Sequence, residues 1–231
     1  MQNKKTIISV ILAALLPFGM EILSKNQLSS IYTFLWAIAN YLFIMTIWER
    51  GIEYKNIFTL KNLKVNKNTY RLNMIYYFAF LIFLNVYFLH EMYPIKSAVL
   101  DTLSNPFIPF VIFGLFLVNL NYGKFPEKED KTPAIYNMPL RGQFRNGRDS
   151  LGTVVGSYED GLVLGTYSFD FDTMKSISIN KNDEVAIRGK NSQGSYIVNI
   201  GSRRSAVEAM KILVEAEKQN KLKKNIINIK L

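Results

Sequence analysis

The 231-residue sequence contains no cysteine and a single histidine, His90. It can therefore form no disulfide, thiolate metal site or thiol nucleophile, and most zinc and histidine-base chemistry is excluded with them. Glycine-rich phosphate loops are missing as well. Gly142, Gly147 and Gly152 stand too far apart for a dinucleotide loop, and no glycine run ends in Gly-Lys-Ser or Gly-Lys-Thr. Asp170 and Asp172 offer two carboxylates on one strand face, an incomplete cation site that reads instead as a solvated edge or turn caps. The expectation is a non-enzyme with no cofactor, no metal and no catalytic residue.

What the chain does have is apolar and positive: 49% hydrophobic residues, 13% aromatic and a net charge of +10, a combination foreign to ordinary soluble domains. Lys plus Arg number 10 against 5 acidic residues in 1–123, and 18 against 13 in 124–231, so each part carries about half the net charge. The contrast between the parts is apolar content, which predicts a membrane domain over 1–123, a linker over 124–133, a β-rich domain over 134–220 and a basic, apolar tail over 221–231.

Thr6 to Leu23 follows Lys4 and Lys5 in the manner of a signal peptide, but no small-x-small cleavage pattern comes after it. The run is also long enough to cross a bilayer, so it is expected to be a retained helix. Leu28 to Trp48 and Leu72 to Leu89 contain no charged residue and predict two more spans. A fourth is expected from the Ser104-Asn105-Pro106 cap and first turn into the apolar body Phe107 to Leu120. Lys4, Lys5, Arg50, Lys55, Lys61, Lys64, Lys67 and Arg71 fall on one side of these four spans, leaving Lys25 and Lys96 on the other. By the positive-inside rule both termini are cytoplasmic, and Trp48, Tyr70 and Tyr122 sit at the inner edge.

Within the spans Glu21, Asn40, Asn85 and Asn119 are the polar residues to explain. Glu21 can snorkel to the outer surface, and asparagines more often join helices by amide hydrogen bonds than line a pore. No charged pair occupies the mid-membrane region, which disfavours a coupled ion transporter. Association of copies through these helices stays open.

Phe125 to Pro133 is a charged run bracketed by prolines, read as a solvated linker. Beyond it strands are expected at Ala134 to Leu140, Leu151 to Tyr158, Leu162 to Phe171, Met174 to Ile179, Glu184 to Gly189 and Ser195 to Ile200, with a hairpin turn at Glu159-Asp160-Gly161. Tyr167, Phe169 and Phe171 alternate with Ser168, Asp170 and Asp172, placing rings inward and carboxylates in water. Ser205 and Glu208 resemble a capping box opening a final helix. Val207, Met210 and Val214, widened by Ala206 and Leu213, form its apolar stripe, expected to cover the sheet.

Two basic features point to partners. Arg141, Arg145 and Arg148 cluster in a polar loop suited to headgroups, phosphorylated ligands or RNA. Lys221, Lys223 and Lys224 lead a tail with Ile226, Ile227, Ile229 and Leu231, suited to an anionic leaflet. Nucleic acid is not expected as principal partner, because the membrane loops and the tail already account for the basic balance.

The stretch Val154 to Gly165, the aromatic and acidic strand Tyr167 to Ile179, the strand Ser195 to Ile200 and the terminal helix resemble the pleckstrin-homology-like domains of small bacterial membrane proteins. The resemblance implies a small antiparallel β domain closed by a C-terminal helix, in the bacterial cytoplasmic membrane. Some such families protect against membrane-active bacteriocins. The function expected is thus a non-enzymatic membrane protein whose cytoplasmic domain binds a protein, lipid or peptide partner, with immunity or membrane protection as its concrete form. A ligand-gated effector that permeabilises the bilayer, and an accessory subunit of a transporter or membrane enzyme, stay open beside it.

Overall fold

A computed structural model describes residues 2–23, 30–92, 97–105, 107, 108, 110, 111, 114, 115, 125–138, 154–179, 184–223 and 225–229. The chain forms two compact units. One comprises the described residues of Met1–Ile52 and Arg71–Phe116, the other those of Glu53–Tyr70 and Leu117–Leu231.

The first unit is helical. Helices α1 (Gln2–Leu23), α2 (Ser30–Phe58) and α3 (Lys67–Met92) are each long and apolar enough to cross a membrane, and α4 (Ala98–Leu103) is a short helix after them. Burial is inverted relative to a soluble bundle. Ile7, Ile11, Leu15, Ile31, Leu35, Leu42, Ile75 and Ile82 face outward, while Ser9, Thr33, Asn40 and Asn73 are buried. A bundle in lipid gains nothing by hiding large aliphatic groups and instead packs small or hydrogen-bonded residues between its helices. Stacked rings of Trp36 on Phe88 and Phe43 on Phe80, at 5.6 and 5.9 Å, join α2 to α3. Lys5 and Glu49 pair at 3.2 Å between the first turns of α1 and the later part of α2. Most of Phe107 to Leu120, the fourth span expected from sequence, lies outside the described residues. Its cap does not: Asn105 Oδ1 accepts the Phe107 amide at 2.9 Å.

The second unit is sheet-rich and ends in a helix. Its strands are β1 (Glu127–Glu129), β2 (Ala134–Met138), β3 (Val155–Tyr158), β4 (Gly161–Leu164), β5 (Tyr167–Asp170), β6 (Met174–Ile179), β7 (Val185–Asn191), β8 (Gly194–Ile200) and β9 (Ile227–Ile229), with helix α5 (Arg203–Lys218) between β8 and β9. One sheet runs β1-β2-β8-β7-β6-β9 and the other β3-β4-β5. Alternation sets the inward face. Val185 and Ile187 on β7 and Tyr196, Val198 and Ile200 on β8 are buried, and they meet Leu162 and Leu164 of β4 and Phe169 of β5 in one core. Helix α5 closes it with Ala206, Ala209, Leu213 and Ala216.

Several expectations are corrected here. The sheet is mixed, since β2 runs parallel to β8 and β9 parallel to β6. Leu162 to Phe171 is two strands, not one, because Gly165 takes φ +60 and turns the chain. The supposed linker holds β1, an edge strand whose charges pair along its length and just beyond it, Lys128 with Asp130 and Lys131 with Glu129, each at 2.7 Å. Edge strands tolerate charge because one side stays in water. The tail is no free segment either: the Ile177 amide donates to Ile226 O at 2.8 Å, β9 joins the sheet, and Leu222 and Ile226 enter the core. Finally, α5 starts earlier than the capping box implied. Ser202 is the cap, its hydroxyl accepting the Ser205 amide at 3.3 Å, which turns Ser205 inward and rotates Val207 and Val214 out to solvent.

Candidate functional site

The second unit contains a piece of chain that the strand pattern alone does not include: the end of α2, the start of α3 and the turn 59–66 between them. This turn docks on the edge of β3. Lys64 N–H donates to Ser157 O at 2.7 Å, Ser157 N–H returns a bond to Lys64 O at 3.0 Å, and Glu159 N–H donates to Lys61 O at 2.9 Å. An edge strand left bare is a template for pairing, and here the protein's own turn occupies it.

Gly156 makes the approach possible. A Cβ there would stand 2.5 Å from Lys64 O and 2.9 Å from Val65 Cβ. Gly156 lies opposite Val163 in the β3–β4 ladder, and directly paired residues share a face. The turn therefore covers the face of β4 that carries Val163, while Leu162 and Leu164 enter the core from the other. That explains why all four residues of β4 are buried.

Aromatic residues secure the base of the turn. Tyr70 is fully buried and donates its hydroxyl to Gly165 O at 2.5 Å. Its ring lies edge-on to Tyr54 at 5.0 Å, to Phe58 at 5.3 Å and to Phe125 at 5.6 Å. Pro126 closes over Gly165, where a Cβ would meet its Cδ at 2.2 Å. The φ > 0 turn at Gly165 is thus pinned from two sides.

Between the docked turn, the β3–β4 hairpin and one flank of α5 lies an open cleft of about 740 Å³. Asn62 and Lys64 line it from the turn, Tyr158 and Glu159 from the hairpin, and Lys211 and Glu215 from the helix. Its carboxylates are engaged. Glu159 is held by Lys61 at 2.9 Å and by Asn62 at 3.2 Å, and Glu215 accepts Gln219 Nε2 at 2.8 Å. The hydrogen bond from Lys61 holds the Glu159 carboxyl below the usual range, aided by the charge of Lys221, while Glu159 in turn raises the Lys61 ammonium. A lowered carboxyl favours the docked state at neutral pH and loses that effect as pH falls through the lowered value. Both groups are at the surface, so salt screens the pair.

Beside the cleft, Asp160, Asp170 and Asp172 gather near Phe171 and Lys221. Asp170 accepts the Tyr158 hydroxyl, and burial together with that bond raises the Tyr158 phenol well above its ordinary value. Among the described residues no group of three or more His, Cys, Asp or Glu is arranged to hold a metal ion.

The residues singled out from sequence fall in three places. Arg141, Arg145, Arg148, Lys224 and Asn119 lie outside the described residues. Lys221 donates to Glu159 O at 2.7 Å and so joins the cleft, and Lys223 is exposed. In the helical unit Asn40 and Asn85 exchange amide hydrogen bonds at 2.9 and 3.0 Å, Trp36 Nε1 donates to Asn85 Oδ1 at 2.8 Å, and Asn85 Nδ2 reaches Leu81 O at 2.7 Å. This is a structural clasp between α2 and α3. Glu21 is partly buried near the end of α1.

The sequence hides the docked turn, because Lys61 and Lys64 read there as positive-inside charges alone. The signal was present in Gly161-Leu162-Val163-Leu164, an apolar run without alternation, which marks a strand covered on both faces. No protein-family model, curated protein or solved structure matches this chain.

Proposed function

We propose that this is a non-enzymatic protein of the bacterial cytoplasmic membrane whose pleckstrin-homology-like domain binds a partner and passes that event to the helices through the α2–α3 turn. The observation that carries the reading is the turn itself: α2 and α3 end inside the β-rich unit, so their ends respond to whatever that unit binds. The engagement of Glu159 by Lys61 and Asn62 supports a binding reading, because the charge of the cleft serves to hold the turn in place.

Four spans with both termini cytoplasmic are supported by parity. Residues 53–70 and the β-rich segment belong to one compact unit and so lie on one side of a membrane. A chain that leaves that side through α3 must return before Phe125. Because the sequence has no cysteine, single cysteines at Ser30 and Ser97 should react with an impermeant thiol reagent in intact cells while one at Ser192 stays unlabelled. Labelling of Ser192 alone reverses the topology.

Protection against membrane-active bacteriocins is the concrete form of this role. Expression in a sensitive bacterium should be tolerated and should raise resistance. Toxicity on expression, with no gain in resistance, would instead favour a gated effector that permeabilises the bilayer, a role the same coupling of turn to helices could serve.

A further inference from the structure

Helices α2 and α5 both run out just before a left-handed asparagine, and both exits lead to one residue. Beyond α2, the Thr59 amide donates to Lys55 O at 3.0 Å and the Leu60 amide to Ile57 O at 3.1 Å, and Asn62 then takes φ +55. Beyond α5, Asn220 takes φ +57. Its amide donates to Glu217 O at 3.0 Å and the Lys221 amide to Ala216 O at 2.9 Å, the paired bonds of a Schellman motif. The motif fixes the direction in which the chain leaves α5. Leu222 enters the core, and exposed Lys221 reaches the tip of the β3–β4 hairpin.

At that tip every polar group of Glu159 is engaged. Its amide donates to Lys61 O at 2.9 Å, and its carboxylate oxygens accept Lys61 Nζ at 3.1 and 2.9 Å and Asn62 Nδ2 at 3.2 Å. Its carbonyl accepts Lys221 Nζ at 2.7 Å. The first set comes from the turn after α2 and the last from the segment after α5. Among the described residues Lys221 makes no hydrogen bond to the turn itself.

We infer that Glu159 couples the end of α5 to the end of α2, with Lys221 as a positioning residue that holds the hairpin tip where the turn can engage it. Release of the segment after α5 then loosens the turn. The link rests on the transmitting role proposed for the turn and gives it a second input, the C-terminal end of the domain. Lys221 acts here through position and not through charge. It stands beside Asp160, Asp170 and Asp172, so removing its charge would leave the hairpin tip more attractive to Lys61 and hold the turn more tightly. Loss of the bond to Glu159 O works in the opposite sense, because the tip is then free to move away from Lys61 and Asn62.

Hydrogen exchange of the Lys64 amide, which donates to Ser157 O, reports release of the turn. It is measured in fragments spanning 59–66 from the full chain in nanodiscs at neutral pH, with no partner present, so the coupling and the resistance can each fail alone. Lys221→Met, which keeps most of the aliphatic stem, should speed this exchange by about 3–10-fold. Lys221→Arg, which can still donate, should stay within about twofold of the unaltered chain. Lys61→Met should also speed the exchange, and the double methionine variant should fall short of the product of the two singles, because both act through Glu159. Amides of β8, a strand paired on both sides, should not change in any variant. Unchanged or slower exchange at Lys64 in Lys221→Met overturns the proposal, as does a double variant equal to the product. Faster exchange shared by β8 would make Lys221 a prop of the whole domain and overturns it too.

Discussion

A chain ending at Asn220 should lose on the order of 4–10 kcal/mol of stability in its β-rich unit, most of what a domain of this size possesses. Leu222 and Ile226 are 4% and 8% exposed within the core, and β9 pairs with β6 through Ile177–Ile227 and Ile179–Ile229. Removing two buried aliphatic side chains costs about 2–5 kcal/mol each, before the loss of a strand is counted. Near-ultraviolet circular dichroism of the full and shortened chains during urea unfolding checks this. Replacing exposed Lys223 by glutamine serves as the control, because it removes a tail charge without touching the core. An unchanged midpoint in the shortened chain would mean that β9 adds nothing to the sheet. For the same reason a fragment spanning 132–220 should not fold well. It lacks β1, the docked turn and the last strand.

Gly156→Val should free the turn while leaving its sheet intact. The added Cβ meets backbone at Lys64 O, which cannot swing aside, whereas valine suits the strand itself. Three backbone hydrogen bonds between the turn and the β3 edge would go, Lys64 to Ser157 in both directions and Glu159 to Lys61. At about 1 kcal/mol each, their loss raises the open population roughly 100-fold. Trypsin should then cut after Lys61 and Lys64 in inverted membrane vesicles at a rate increased to match. Under the proposed protective role, resistance should fall even though the amount of protein in the membrane holds. A tryptic pattern identical to that of the unaltered protein would refute the docking, and full resistance with a released turn would refute transmission through it.

How much of this was legible beforehand depended on whether a local pattern carried the information. Long uncharged runs announce α2 and α3 because lipid admits little else. Alternation announces β7 and β8, and Glu159-Asp160-Gly161 announces its hairpin. What stayed hidden was decided by contacts distant in sequence. Nothing near Lys61 says that it will meet Glu159, which lies 98 residues away. The isoleucines of the tail look the same whether they face acyl chains or the hydrophobic core, and only the pairing with β6 distinguishes the two. Val207 and Val214 fit the helical stripe as well as Ala209 and Ala216 do. The cap at Ser202 chose the narrower, alanine-lined face, and a cap displaced by three residues is enough to rotate the helix.

The discontinuity of the β-rich unit also sets an order on synthesis. The turn 59–66 is made long before β3, and at about 5–20 residues per second it waits roughly 5–20 s for its partner strand. Under the topology proposed above, α3 enters the bilayer in that interval while the turn stays behind. A chain that crossed the membrane an odd number of times between the turn and β3 would leave the two on opposite sides, with the edge of β3 uncovered and Val163 exposed. Under the proposed topology, completion of the domain reports on how the helices were threaded. Only a chain with the turn and β3 on one side can cover the β3 edge with the 59–66 turn.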